Sequence, residues 1–314
     1  MSRRGVLVMS HGTPRSFAEI PAFYTEIRRG RPPPPDLLAD LERRYREIGG
    51  VSPLNAVTDA QVDRIRGALE ARAPGDFVVA GGAKFASPRI EDAVGCLARA
   101  GVEHVTGVVL APHFSLASVG DYARRAEAAA EAAGRALGRL VTVEVIRQWH
   151  LEPGFVTLVA DRVRRALSSL PEAAQRDPVV VFTAHSIPTR LVDAGDPYAL
   201  QVEESAAAVV RAAGVSRWSV AWQSAGRTDE AWLGPDVRDV VAELGDSGAT
   251  GVVVCPLGFV SDHLEVLYDI DIEVRDAARR VGLPMARTES LNDDPVLGDV
   301  LAQVVMDAVG TAPA

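Results

Sequence analysis

The sequence predicts an α/β protein of two doubly wound domains, each a four-stranded parallel sheet flanked by helices, with a cleft between them. Three observations carry this expectation. Eight short apolar runs alternate with helical segments, the pattern of strand–helix–strand units. The 314 residues suffice for two domains of ordinary size. The same landmarks also recur in the same order in both halves. Val8-Met9-Ser10-His11-Gly12-Thr13-Pro14 parallels Phe182-Thr183-Ala184-His185-Ser186-Ile187-Pro188, and Val108-Val109-Leu110-Ala111-Pro112 with Phe114 parallels Val253-Val254-Cys255-Pro256 with Phe259. That repetition reads as an old duplication.

The elements follow in order. Residues 5–10 are a continuous apolar run, read as a strand buried on both faces. His11 to Pro14 turn out of it, and a partly basic helical segment follows through Phe23 and Arg29. Pro32 to Pro35 impose a stiff, extended break. Asp36 is the expected cap of a helix over 37–48. A Gly/Pro loop at 49–55 leads to an amphipathic helix over about 58–71. Strands are expected at 77–81, 105–110 and 141–146, with alanine-rich helices between them. A helix after Glu152 carries the chain to a second set of strands at 179–183, 218–222, 251–255 and 284–287. A last helix lies at about 295–309. The expected domains are 1–150 and 151–314, with the C-terminal helix (about 295–310) able to pack back on the first. The cleft would be lined by the carboxyl ends of the strands, where open α/β sheets hold ligands.

Composition narrows the function. The net charge of −9 argues against nucleic acid as a partner, and a basic run, Arg28-Arg29-Gly30-Arg31, stands out against it. No apolar run approaches the ~18 residues of a membrane span. The N-terminus is too brief for a signal peptide. A cytoplasmic monomer is expected. Two cysteines, Cys96 and Cys255, cannot supply a four-cysteine zinc or iron–sulfur site, and both are expected to be buried and reduced.

The chemistry-bearing stretch runs from Gly258 to Glu273. At about 100° per residue, Glu265, Asp269 and Glu273 share one helical stripe. Like charges at that spacing cost a helix roughly 0.2–0.5 kcal/mol per pair. The stripe is either a solvated acidic face or a path for a cation. His185 ends a strand and precedes Ser186-Ile187-Pro188. A histidine there is either packed and hydrogen-bonded or available to bind a metal or take a proton. His263 is read as a supporting or helix-start residue rather than a ligand, and His104 and His150 as surface or loop histidines.

Several ordered motifs carry a resemblance. They are Ile27-Arg28-Arg29-Gly30-Arg31, the run from Arg44 through Gly49-Gly50-Val51-Ser52-Pro53-Leu54, Ala111-Pro112-His113-Phe114-Ser115, Thr183-Ala184-His185-Ser186-Ile187-Pro188, Gly195-Asp196-Pro197-Tyr198, Trp222-Gln223-Ser224, Trp232-Leu233-Gly234-Pro235-Asp236-Val237, and Gly258 through Asp269. With these the sequence resembles the ferrochelatases, most closely the short soluble Gram-positive kind that acts on coproporphyrin III. The resemblance implies two Rossmann-like, chelatase-type domains. It implies insertion of Fe2+ into a porphyrin with release of two protons, in heme biosynthesis. Porphyrin and ferrous iron are then substrates, no tightly bound cofactor is implied, and the iron–sulfur cluster of some relatives is ruled out by the cysteine count. Transient contact with other enzymes of the heme pathway is left open.

By the same resemblance, His185 and Glu265 face each other across the porphyrin centre, and Asp269 and Glu273 continue the carboxylate path for iron or protons. Arg29, Arg31 and Arg44, with the Ser52 hydroxyl, are candidates for binding propionates, since guanidinium forks match carboxylates. Tyr24, Ile27, Tyr122 and Trp222 are candidate substrate-facing walls. Three positions depart from the Gram-positive pattern. His11 stands where many relatives carry a tyrosine that contacts product iron, and histidine can also ligate iron. Phe85 replaces a common histidine, which puts an accessory metal site in question. Leu116 replaces a hydroxyl residue, which weakens the expectation about the substrate. Rival readings are a protoporphyrin IX ferrochelatase, a cobalt or nickel chelatase of another tetrapyrrole such as sirohydrochlorin, and a non-catalytic tetrapyrrole carrier. The cobalt or nickel chelatases share the fold but typically have shorter chains and a different metal-binding pattern; a carrier would need the cleft but not the acidic stripe.

Overall fold

The computed structural model describes residues 3–311. Two compact units emerge, one of Met1–Trp149 with Asn292–Ala314, the other of His150–Leu291. The chain thus leaves the first unit once and returns to it.

In the first unit, β1 (Arg4–Ser10) is followed by a 3-10 turn (Phe17–Glu19), α1 (Ile20–Ile27), α2 (Pro35–Glu47) and α3 (Leu54–Arg72). Then come β2 (Phe77–Ala83), α4 (Ile90–Arg99), β3 (His104–Val109), α5 (Val119–Leu137) and β4 (Thr142–Ile146). The strands form one parallel sheet in the order β2-β1-β3-β4. Val6, Leu7, Val8 and Met9 of β1 are fully buried, as a central strand covered on both faces requires. Met9 and Leu7 join Val94, Leu97, Val105, Val109 and Ala126 in a core between the sheet and α4 and α5.

The second unit holds α6 (Pro153–Ser169), a 3-10 turn (Glu172–Gln175), β5 (Val179–His185), α7 (Thr189–Asp193), α8 (Tyr198–Ala213), β6 (Trp218–Gln223) and α9 (Val237–Asp246). It continues with β7 (Val252–Cys255), a π-helix (Val266–Val274), α10 (Arg275–Arg280) and β8 (Met285–Arg287). Its parallel sheet has the order β6-β5-β7-β8, the same permutation as in the first unit. Identical strand orders in the two halves are what a duplication leaves behind. The last helix, α11 (Pro295–Thr311), packs against α3 in the first unit. The approach is close: a Cβ on Gly298 would lie 2.6 Å from the Arg64 Cβ.

Several local expectations need correction. Asp36 is not the cap of α2. Pro34 holds that position, Pro35 starts the helix, and Asp36 lies in the first turn, where its charge complements the helix dipole. The helix expected over 58–71 begins earlier, at Leu54, because Pro53 sits just ahead of its first residue and ends the loop there. Cys96 is exposed, since the buried stripe of α4 is Ala93, Val94, Leu97 and Ala98 and Cys96 falls off it; Cys255 is buried. His150 lies in the turn before α6, as a loop residue, but is buried; its Nε2 lies 3.0 Å from Glu204 Oε2, a partner 54 residues away that local sequence does not reveal. The acidic stretch after β7 is a π-helix over nine residues and not a regular α-helix. Its i→i+5 closure widens each turn, and residues four apart stay roughly aligned.

Candidate active site

In each sheet the chain reverses its direction of travel across the sheet between the two central strands. In the second unit that switch point lies between β5 and β7, and ligands of open α/β sheets bind outside the carboxyl ends of strands at such points. His185 is the last residue of β5. Glu265 follows β7 and immediately precedes the π-helix. The turn out of β7 passes so close to β5 that a Cβ on Gly258 would sit 2.6 Å from the Ala184 Cβ, so glycine is required there.

His185 Nε2 stands 3.6 Å from Glu265 Oε1, and the two side chains are 35% and 37% exposed. That distance is an ion-pair contact, longer than a hydrogen bond. The other carboxylate oxygen, Oε2, lies 3.6 Å from His263 Nε2. Glu265 therefore bridges two imidazoles. The His185 Nδ1–H donates to the Ser186 carbonyl, and the His263 Nδ1–H donates to the Ser261 carbonyl at 2.9 Å. A carbonyl only accepts, so Nδ1 carries the hydrogen in both rings. The exchangeable position is then Nε2, and both Nε2 atoms face Glu265.

The electrostatics follow from this grouping. Burial pushes His185 down, but the Glu265 charge and contact, the Ser186 carbonyl and Asp269 reverse this and raise it to about 9. Burial likewise pushes Glu265 up, and the His185 and His263 imidazoles overcome it, holding the carboxyl well below the carboxylate range. Burial raises the Tyr198 phenol above its ordinary value, with the Glu265 and Asp196 charges adding to it, so Tyr198 stays neutral and hydrogen-bonds the His185 backbone.

The remaining carboxylates form a succession. Asp269 is 6% exposed and accepts a hydrogen bond from the Ser224 hydroxyl. Glu273 lies 3.5 Å from Arg238 Nη1, and Arg238 also forms a bidentate pair with Asp236, whose carboxylate caps α9. Among the described residues no three His, Cys, Asp or Glu side chains converge into a ready metal-holding group. Trp222, in β6, is buried against Tyr198 with ring centroids 5.9 Å apart.

The other candidates lie in the first unit. His11 follows β1; its Nδ1–H donates to the Gly12 carbonyl at 3.0 Å, and its ring packs on Phe85 at 4.7 Å and Phe23 at 6.2 Å. Gly12 has φ +79 and no room for a Cβ, which would lie 2.7 Å from Ala86. Thr13 then anchors the turn, its hydroxyl 3.0 Å from the Tyr45 hydroxyl and its amide on Asn55 Oδ1 at 3.1 Å. Tyr24 and Ile27 sit on α1, with Ile27 exposed and Arg28 over the Tyr24 ring. Arg29 and Arg31 are exposed just beyond α1; Arg29 has φ 56. Arg44 on α2 is half-buried, its Nε 3.1 Å from Asp40 Oδ2. Ser52 is buried, and its Oγ accepts from the Leu54 amide at 3.3 Å. Tyr122 on α5 is buried, with Lys84 Nζ 4.8 Å from its ring centroid and paired to Asp121. Phe85 follows Lys84 against His11, and Leu116 is exposed.

The residues that motif reading alone did not single out are Gln223 and Tyr198, which hydrogen-bond the backbones of Glu265 and His185, and Ser224, which hydrogen-bonds Asp269. Their only sequence signal is membership in the motifs at 195–198 and 222–224.

Comparison with known proteins identifies the family. The ferrochelatase family profile ("Ferrochelatase") matches residues 3–309. The chain is 42% identical over 304 residues to the coproporphyrin III ferrochelatase of Geobacillus kaustophilus, covering 96% of this chain and 95% of that protein. It is 41% identical over 314 residues to the coproporphyrin III ferrochelatase of Bacillus subtilis, covering 99% and 100%. Among solved structures, the sirohydrochlorin chelatase SirB from Bacillus subtilis subspecies spizizenii with cobalt superposes with a TM-score of 0.59 at 12% identity, covering 98% of this chain and 96% of that one. At that identity the likeness speaks for the chelatase fold alone. The sequence agreement, by contrast, runs nearly from end to end, and by it the chain is a metal chelatase that belongs to the ferrochelatase family.

Proposed function

We propose that this protein inserts Fe2+ into coproporphyrin III, giving the iron porphyrin and two protons in heme biosynthesis. The observation that carries the reading is the pair of Nε2 atoms, of His185 and His263, facing one carboxylate at a sheet switch point. Two of the four ring nitrogens carry protons, and both protons must leave as the cation enters. His185, with Nδ1–H held by the Ser186 carbonyl, has Nε2 as its exchangeable site; since Glu265 keeps that ring protonated in the resting site, it first gives its Nε2 proton to solvent and then takes one from a pyrrole. Glu265 stabilises the imidazolium that results, and its charge offsets the incoming cation. Asp269 and Glu273 lead away from the pair along the π-helix as carriers of iron or protons.

We assign Arg29, Arg31, Arg44 and the Ser52 hydroxyl to substrate carboxylates, and Tyr24, Ile27, Tyr122 and Trp222 to the macrocycle. His11 is assigned to the product iron. Its Nδ1–H is engaged by Gly12 and its ring is held by Phe85 and Phe23, and Nε2 is the nitrogen we assign to the iron. The identity to coproporphyrin III ferrochelatases supports that choice of porphyrin. The free cysteines fit a reducing, cytoplasmic setting.

The test is anaerobic mixing of protein and Fe2+ with coproporphyrin III and, separately, protoporphyrin IX, followed by absorbance. Faster metallation of coproporphyrin III is expected. Metallation of neither sinks the reading, and a preference for protoporphyrin IX overturns the substrate. A spectrum of bound product unchanged by His11→Ala removes His11 from the iron.

A further inference from the structure

We propose that Gln223 and Ser224 are positioning residues which together clamp the start of the π-helix and so set the separation of Glu265 from His185. The inference rests on the reading of that pair as the metallating centre. Strand pairing does not fix the separation. The β5–β7 ladder ends at Phe182 opposite Cys255, and Glu265 lies beyond the irregular segment 256–263. Something other than the sheet must hold it.

Gln223 is 2% exposed and stands opposite His185 in the β5–β6 register. Its backbone carbonyl accepts from the Ser186 amide at 2.7 Å. Its side-chain Oε1 accepts from the Thr183 hydroxyl at 2.8 Å, and its Nε2–H donates to the Glu265 carbonyl at 3.0 Å. The amide orientation is forced, because the Glu265 carbonyl can only accept. One side chain thus ties the strand that ends in His185 to the backbone of Glu265.

Ser224 supplies the second tie. Its φ is 59, in the left-handed region that favours glycine. A serine there keeps a hydroxyl that glycine lacks, and that hydroxyl donates to Asp269 Oδ2 in the π-helix. Two consecutive residues therefore grip residues 265 and 269. Their removal lets Glu265 drift, and misplacement by about 1 Å at a reacting centre costs up to roughly a hundredfold in rate.

Ser224→Gly separates positioning from folding, because glycine suits the backbone angle and deletes only the hydroxyl. In anaerobic steady-state metallation with Fe2+ and coproporphyrin III, Ser224→Gly is expected to keep or raise the melting temperature, leave the porphyrin KM within about twofold, and lower kcat roughly tenfold or more. Ser224→Asn, which tolerates the left-handed angle and restores a donor, is expected to recover most of that loss. Gln223→Met is expected to lower kcat at unchanged porphyrin KM. A Ser224→Gly enzyme with wild-type kcat overturns the clamp, as does a loss in either variant that appears in KM or melting temperature alone. A wild-type protein that metallates neither porphyrin overturns the functional reading, and the clamp with it; an active wild type with unaffected variants overturns the clamp only.

Discussion

His185 and Glu265 are coupled so that each holds the other's charge. The imidazole is raised from 6.5 to about 9 and the carboxyl is held well below 4.5. The contribution of a raised histidine to stability is complete below its unfolded value and is lost as pH climbs through the folded one. His185→Ala should therefore cost most stability between about pH 5 and 6.5 and little above pH 9. Chemical denaturation across that range checks it; a constant difference at every pH would contradict the coupling. The carboxyl works in the other direction, stabilising above its ordinary range and losing that contribution only in acid. In Glu265→Gln the His185 value should fall toward or below 6.5, since burial is then less opposed, and titration of the ring by NMR measures it. The pair was legible as two residue types after two apolar runs. His263 was the harder residue, because its facing of Glu265 arises from the chain's bend at Ser261, which has no spacing signature.

The element that carries the carboxylates shows where periodicity stops informing. Glu265, Asp269 and Glu273 repeat every four residues, and that repeat suits an i→i+4 helix and an i→i+5 helix about equally. The distinction comes from tertiary ties invisible in the local sequence. Ser224 grips Asp269, Arg238 reaches Glu273, and Arg287 of β8 bonds Asp271 at 2.8 Å and Asp262 at 3.2 Å. Those partners also answer the like-charge cost, since the acids face a hydroxyl or a guanidinium. Asp236 is the contrasting case, in which one local residue defines a helix start by capping α9 through the Arg238 amide at 2.8 Å. Asp236→Ala should cost about 1 kcal/mol from the lost cap, and more if Arg238 is left to pull Glu273 alone. Gly258→Ala should cost about 1–3 kcal/mol by forcing Ala184 and the turn apart, seen as a lowered melting temperature.

At the scale of the molecule, the parallel α/β character and the eight strands could be read from apolar runs, since buried parallel strands leave a continuous signal. The strand orders could not, because they depend on which edge each crossover returns to. The sequence allowed α11 to pack back on the first unit, but an apolar helix alone does not say which face it meets. Its Leu297, Leu301, Ala302 and Val305 are buried in the first unit. Leu301→Ala should cost about 2–5 kcal/mol. The loss should fall on the first unit, so that hydrogen exchange accelerates in β1 and α3 before it does in β5.

That return of the chain bears on how the protein is made. During synthesis, segments emerge in order and domains fold as they are completed, at about 5–20 residues per second. The unit whose strands are made first lacks its closing helix until residues 292–311 follow, whereas residues 150–291 are already whole by then. The earlier-made half is thus the later one to finish. Over that interval the α3 face around Gln61 and Arg64, which meets residues 292–298 in the finished fold, waits uncovered on the nascent chain.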